Sequence, residues 1–316
     1  MLNVPRLRAL YEVSRHGSFT GAAEVLRLTT SAVSQQIALL EREAGAALVE
    51  RHARGVRLTE PGRVLARHAE NLLAELRAAA DALAAVGSGA GGRLRFGSFT
   101  TANAALMPKA VAAFRNVFPQ VELTLLEADS DEGLAKVAEH HLDLALVYEF
   151  PLVPMVVPPG VATSPLLEDP LSIVVPVGHR LAVCGRVRLV DLAEETWVQG
   201  VRSGSTAEVL PQACLRAGFE PRVAFRTDDQ MTVRGLVAAG LGIALTPWLA
   251  MATTPRDLAV VRLDEPTLTR TVFAATSAGP YRLPAADAMI EHLRRAATDM
   301  QASRHNEPGE SPPTAR

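Results

Sequence analysis

The chain has 316 residues, of which 48% are hydrophobic and 21% charged, and its formal net charge is −2. That balance belongs to a soluble, core-forming protein of about two domains, and excludes a disordered polyelectrolyte or a generic polyanion binder. Any affinity for nucleic acid has to come from local charge; the first 62 residues carry eight Arg, six Glu and no Lys.

Arg6, Arg8, Glu12 and Arg15 interrupt any apolar run near the start, so no secretion signal is expected. Residues 235–255 are free of charge. Gly235, Gly240, Gly242 and Pro247 break them into a helix end, a turn and a buried strand, Ile243 to Leu245, and not a membrane span. Cys184 and Cys214 form no C-x-x-C pattern, which fits a reducing, cytoplasmic location.

In chain order, Leu7 and Leu10 mark an opening helix closed by Gly17. Two short helices follow. Ser18 caps the first, whose buried side is Ala22, Ala23, Val25 and Leu26; Thr29 and Thr30 offer a hydroxyl cap for the second. There Val33, Ile37, Leu40 and Ala44 form one buried face, which leaves Ser31, Ser34, Gln35 and Gln36 on or beside the other. Hydroxyls and amides at the start of a second helix suit a DNA major groove, where Gln pairs bidentately with adenine. Ser18, Thr20 and Thr30 join this contact set. The same spacing also fits an αα-hairpin in an ordinary helical domain.

Residues 48–59 read as two strands about the tip His52-Ala53-Arg54-Gly55, a wing on which Arg51 and Arg54 meet phosphate or a minor groove. A solvated hairpin is the alternative. From Glu60 to Val86 one long helix is expected, with Pro61 in its first turn. Leu65, Ala69, Leu72, Leu76, Ala79, Leu83 and Val86 step by four and three, a seam as narrow as a coiled coil requires. It implies dimerisation; a helix lying on its own domain is the alternative. Gly87-Ser88-Gly89-Ala90-Gly91-Gly92 is a hinge and the clearest boundary.

The run Ser18-Phe19-Thr20-x-Ala22-Ala23-x-x-Leu26, then Thr30-Ser31-Ala32-Val33-Ser34-Gln35-Gln36-Ile37, Leu40-Glu41 and Gly45, resembles the signature of LysR-type transcriptional regulators. The resemblance continues through Leu48, Glu50-Arg51, Arg54-Gly55-Val56 and Leu58-Thr59-Glu60-Pro61-Gly62, about sixty positions in order. Val49 departs from the Phe usual there, a change in a packing residue. The resemblance implies a winged helix-turn-helix whose linker helix pairs two subunits on two half-sites.

Beyond the hinge, strands and helices alternate, which implies a parallel sheet with helices on its faces. Strands are expected at Leu94–Ser98, Val121–Glu127 and Leu142–Tyr148, with helices at Ala104–Phe118 and Glu132–His140. A Pro-rich crossing, Pro151 to Pro165, leads to a second set. Its strands lie near Leu171–Pro176, Trp197–Gln199, Arg222–Arg226 and Gly242–Leu245, and its helices at Ala207–Ala217 and Asp229–Ala238. A last strand (Leu268–Thr276) and helix (Ala285–Ala297) return to the first lobe. Pro108 with Phe114 and Phe118-Pro119, Leu142-Asp143-Leu144 and Ala239-Gly240-Leu241-Gly242-Ile243 also resemble the LysR family. They imply two Rossmann-like lobes of the periplasmic-binding-protein type (type 2). The expected fold is therefore α/β with an N-terminal winged helix-turn-helix. Its parts are 1–59, a linker and hinge 60–91, a two-lobed domain 92–301 and a disordered tail 302–316. Lobe I is about 92–163 and 266–301, and lobe II about 164–265.

Ligands of open α/β lobes sit beyond the carboxyl ends of strands. Those ends supply Ser98, Phe99, Thr100, Thr101, Tyr148, Arg202, Ser203, Ser205, Thr227 and Thr246. Hydroxyls and N–H groups before helices, with Arg202 beside them, cradle an anion. A small effector bearing a carboxylate is expected, with plain helix capping as the alternative for each hydroxyl. Glu149 and Asp228 offer an amine site instead. His140-His141-x-Asp143 lacks a third ligand at useful spacing, so no metal is expected, and no cofactor. No G-x-S-x-G, Walker loop or H-E-x-x-H is present, which points away from an enzyme. A solute-binding protein would leave the first sixty or so residues idle. The expected partners are double-stranded DNA with an interrupted palindrome, further copies of the chain (dimer or tetramer), a small effector and, by the resemblance, RNA polymerase. No membrane is expected among them.

Overall fold

The structure is a computed structural model, and it describes residues 2–52, 55–88, 92–201, 206–251, 255–265, 268–278 and 282–305. The chain divides into two compact units, residues 1–87 with 139–141 and residues 88–138 with 142–316.

The N-terminal unit is assembled from three capped helices. Asn3 accepts the Arg6 N–H at the start of α1 (Val4–His16), and Gly17, at φ +61°, ends it in the left-handed conformation glycine tolerates best. Ser18 accepts the Gly21 N–H to open α2 (Phe19–Leu26), and Thr29 accepts the Ala32 N–H to open α3 (Thr30–Ala44). Leu7, Leu10, Val13, Ala22, Val33, Ile37 and Leu40 close into one core. Two expected core residues lie outside it: Ala44 is exposed in the last turn of α3, and Val25 is 48% exposed. The short α2 can turn only Ala22 and Ala23 fully inward. Strands β1 (Val49–His52) and β2 (Gly55–Leu58) pair antiparallel as a wing. Helix α4 (Glu60–Ser88) follows directly.

The second unit is a two-lobed α/β structure. In the first lobe β3 (Gly92–Ser98) lies parallel to both β4 (Val121–Glu127) and β5 (Leu144–Glu149). Helices α5 (Thr100–Ala105), α6 (Met107–Val117) and α7 (Ser130–Ala138) connect them. The single helix expected from Ala104 to Phe118 is thus two. Pro108 has no N–H for a continuous ladder, so it falls in the first turn of α6.

Strand β6 (Val161–Pro176) crosses both lobes, and the Pro-rich reading of residues 151–165 missed its first half. Its residues 161–170 pair with β12 (Thr269–Ser277), and 171–176 with β10 (Ile243–Pro247) and β11 (Leu258–Leu263). Pro165 is accommodated where the ladder to β12 already shifts register, between Val272 and Phe273. The second lobe is completed by β7 (Arg186–Val187), β8 (Thr196–Gln199), β9 (Arg222–Arg226), α8 (Thr206–Arg216) and α9 (Gln230–Ala238). Strands β8, β9 and β10 are parallel neighbours. Strands β7 and β11 and the 3-10 turns at Leu189–Leu192 and Trp248–Met251 were not anticipated. Phe96, Phe114 and Trp197 are fully buried in the main core.

Helix α10 (Pro284–His305) returns to the first lobe, where it packs on α6. It outruns the expected end at Ala297 because Met300 is still buried, and so occupies the start of the segment read as a tail. Residues 306–316 of that tail, and the hinge residues 89–91, lie outside the described residues.

Candidate nucleic-acid interface and ligand cleft

Helix α3 divides cleanly by face. Val33, Ile37 and Leu40 are fully buried, whereas Thr30, Ser31 and Gln35 are exposed and Ser34 and Gln36 half-buried. Thr29 Oγ1 shares a hydrogen bond of 3.0 Å with Ser31 Oγ at the tip of the helix. Thr20 is exposed on α2; Ser18 is half-buried, with its oxygen occupied by the Gly21 N–H at 3.1 Å. The Arg51 side chain and Arg54 lie outside the described residues.

The seam expected along α4 separates into two parts. Ala69 is fully buried and Leu65 partly buried in the core of the N-terminal unit itself, so these two serve their own subunit. Leu72, Leu76 and Leu83 are 51%, 51% and 74% exposed, and Ala79 is exposed as well. A groove of about 560 Å³ runs beside them, lined by Val4, Leu26 and Leu28 together with Leu73, Leu76 and Ala80.

The two-lobed unit holds a cavity of about 550 Å³ at the carboxyl ends of its strands, a volume ordinary for a small-molecule site. Phe99, Thr100, Thr101, Tyr148, Thr227 and Thr246 all line it, as do Asp228 and Arg270. Ser98 does not: it is fully buried and its Oγ has no hydrogen-bond partner. Glu149 is also absent from the wall and accepts the Met155 N–H. Arg202, Ser203 and Ser205 lie outside the described residues. Thr100 donates to Glu127, a second carboxylate of the wall, at 3.3 Å.

The most constrained group in the wall is one that sequence reasoning missed. Arg270 and Asp169 form an ion pair with side chains 4% and 0% exposed. Nε of Arg270 donates to Asp169 Oδ2 at 2.8 Å, and Nη2 to Thr101 Oγ1 at 2.6 Å. The guanidinium packs beside both rings, 4.9 Å from the centre of Phe99 and 4.5 Å from that of Tyr148, whose own centres are 4.7 Å apart in an edge-on pair. The other oxygen of Asp169 accepts the Leu249 N–H from the second lobe at 3.0 Å. Burial pushes the Asp169 carboxyl above its ordinary range, against the pull of Arg270 and the N–H groups of Leu249 and Trp248. Tyr148 is pushed up chiefly by burial; Arg270 opposes this, and Asp129 and Asp228 add to it. The pair stands directly across the ladder, Arg270 opposite Asp169. The two are 101 residues apart in sequence, so only strand pairing could reveal them.

These features define a winged helix-turn-helix joined to a two-lobed ligand-binding domain. Residues 5–63 match the family described as "Bacterial regulatory helix-turn-helix protein, lysR family", and residues 87–298 match "LysR substrate binding domain". The chain belongs to the LysR family of transcriptional regulators, which are not enzymes. It is 30% identical over 290 residues to the HTH-type transcriptional regulator CbbR of Rhodospirillum rubrum, covering 90% of this chain and 93% of that protein. It is 29% identical over 272 residues to the transcriptional dual regulator GltC of Bacillus subtilis (strain 168), covering 86% and 89% respectively. The fold is similar to that of full-length CbnR in complex with its target DNA. There the TM-score is 0.68 at 22% identity, over 94% of this chain and 100% of that one.

Proposed function

We propose that the chain works in the cytoplasm as a ligand-responsive regulator that reads an interrupted palindrome in double-stranded DNA. It does so as a dimer or a pair of dimers and acts on RNA polymerase. The observation that carries this reading is the face of α3: Thr30, Ser31 and Gln35 point to solvent from a helix anchored through Val33, Ile37 and Leu40. A recognition helix contacts base edges with its N-terminal residues, and the amide of Gln35 can pair bidentately with adenine. The likeness to the DNA-bound CbnR fold supports the same docking. Leu72, Leu76 and Leu83 are the residues through which α4 pairs with a second copy, and the apolar groove beside them gives that partner a seat.

The effector occupies the cleft of the two-lobed unit and bears a carboxylate. Thr100 and Thr101 at the start of α5 support that assignment.

A mobility shift with the DNA adjoining the encoding gene, repeated across salt concentrations, tests the reading. Specific binding is expected to weaken steeply with salt yet keep its preference for one sequence. Gln35→Ala is expected to relax that preference by roughly 1–3 kcal/mol, the worth of one bidentate base contact. Unchanged preference in that variant would mean that α3 does not read bases through Gln35.

A further inference from the structure

We infer that Arg270 and the hydroxyl of Thr101 form a two-donor clamp for the acidic group of the effector, one carboxylate oxygen on each; this rests on the reading of the cleft as the effector site. A guanidinium has five N–H donors in a fixed fork. In Arg270 the Nε hydrogen and one on Nη2 go to Asp169, and the second on Nη2 goes to Thr101 Oγ1. Both Nη1 hydrogens are then without an acceptor among the described residues, in a side chain that is 4% exposed and lines the cavity. A buried donor left unpaired carries a desolvation cost, which a ligand oxygen relieves. Thr101 adds the second donor. A hydroxyl has one hydrogen and two lone pairs. Nη2 occupies a lone pair of Thr101, and no acceptor among the described residues takes its hydrogen. Thr101 is buried and lines the same cavity.

The clamp is held in place before any ligand arrives. Asp169 is fully buried, and its other oxygen accepts the Leu249 N–H of the second lobe at 3.0 Å. Thr101 stands on α5 of the first lobe, so the guanidinium is fixed from both sides of the cleft. Phe99 and Tyr148 pack against it. A charge-assisted bond to such a group loses little ordering entropy. Two carboxylates of the same wall are turned to the protein's own donors. Glu127 accepts the Thr100 hydroxyl, and Asp229 accepts the N–H groups of Met231 and Thr232. A planar acid with two oxygens meets the two neighbouring donors at once. A neutral amide offers one oxygen, without the gain from charge.

Isothermal titration of the full chain with acetate, succinate, benzoate and phenylacetate, each compared with its amide, tests this. At least one acid is expected to bind, and to do so about tenfold or more tightly than its amide, the worth of a hydrogen bond to a charged group. Arg270→Lys keeps a cation beside Asp169 but removes Nη1, so it is expected to bring the acid down to the affinity of its amide. Thr101→Val removes the hydroxyl and is expected to weaken the acid about tenfold, whereas Thr101→Ser restores it. The Thr101 pair decides the matter even if Arg270→Lys fails to fold. An acid that binds no better than its amide, or equally well to Thr101→Val, would overturn the inference, as would failure of every acid to bind. Ala104→Trp separates the two levels, since Ala104 is exposed and lines the cavity. Binding lost in that variant but untouched by the Arg270 and Thr101 substitutions removes only the clamp. Binding that survives Ala104→Trp removes the reading of the cleft as well.

Discussion

Cys214 is sealed in the core, and burial alone pushes its thiol up to about 12. A thiol reacts as its thiolate, so at neutral pH this one is chemically silent while the fold holds. Cys184 is only partly buried, its sulfur 3.9 Å from the Arg180 carbonyl. A disulfide reagent is therefore expected to label Cys184 in the native chain, and Cys214 only after unfolding. Cys184→Ser should abolish the fast phase; persistence of that phase would place a reactive thiol at Cys214. The sign with pH follows from the same shift. The folded thiol ionises later than the unfolded one, so its contribution to stability is complete below the unfolded value and is lost as pH rises towards 12. Arg270 makes the complementary point about charge. It is tolerated in the interior because Asp169, Thr101 and two aromatic rings replace the water it gives up.

At the scale of elements, the junction of the wing with α4 depends on one close approach. The Thr59 N–H bonds to the Leu48 carbonyl at 3.0 Å, and the Thr59 hydroxyl accepts the Gly62 N–H at 3.0 Å. A Cβ on Gly62 would stand 2.0 Å from the Leu48 oxygen, which is backbone and cannot swing aside. Gly62→Ala is expected to destabilise the N-terminal unit by roughly 1–3 kcal/mol, the usual cost of forcing an atom into packed structure. Thermal unfolding followed by circular dichroism measures it, and an unchanged midpoint would show that α4 can shift away. The requirement for glycine here is one of space and not of φ.

For the whole molecule, the question is what covers the apolar face of α4. Because Leu65 and Ala69 are spent on their own subunit, the seam open to another chain begins at Leu72. The double substitution Leu72→Glu with Leu76→Glu is expected to yield a folded monomer by sedimentation velocity, since both residues are about half exposed in the subunit. Affinity for a two-half-site operator should fall with it, because the heads are then no longer linked and each binds alone. A dimer that survives both substitutions would mean that pairing runs through another surface.

Local chemistry was legible from the sequence wherever it decides structure over a few residues. The caps Ser18 and Thr29, the stop at Gly17, the helices of the reading head, the wing and the length of α4 follow from capping, periodicity and glycine placement. Six of the residues read as effector contacts, from Phe99 to Thr246, do line the cavity, because strand ends can be found from apolar runs. Pairing over long distance was not legible. The first half of β6 was hidden behind prolines whose tolerance depends on an irregular partner strand, and β11 was hidden by its weak alternation. Arg270 stood in a strand like any solvent-facing arginine until the fold set Asp169 opposite it. Sequence by itself determined most of the helices, their caps and the central strands, and the family they compose, since those properties rest on neighbours in the chain. Tertiary structure alone decided which charges meet in the cleft and which part of α4 stays open, because those depend on residues that chain order keeps far apart.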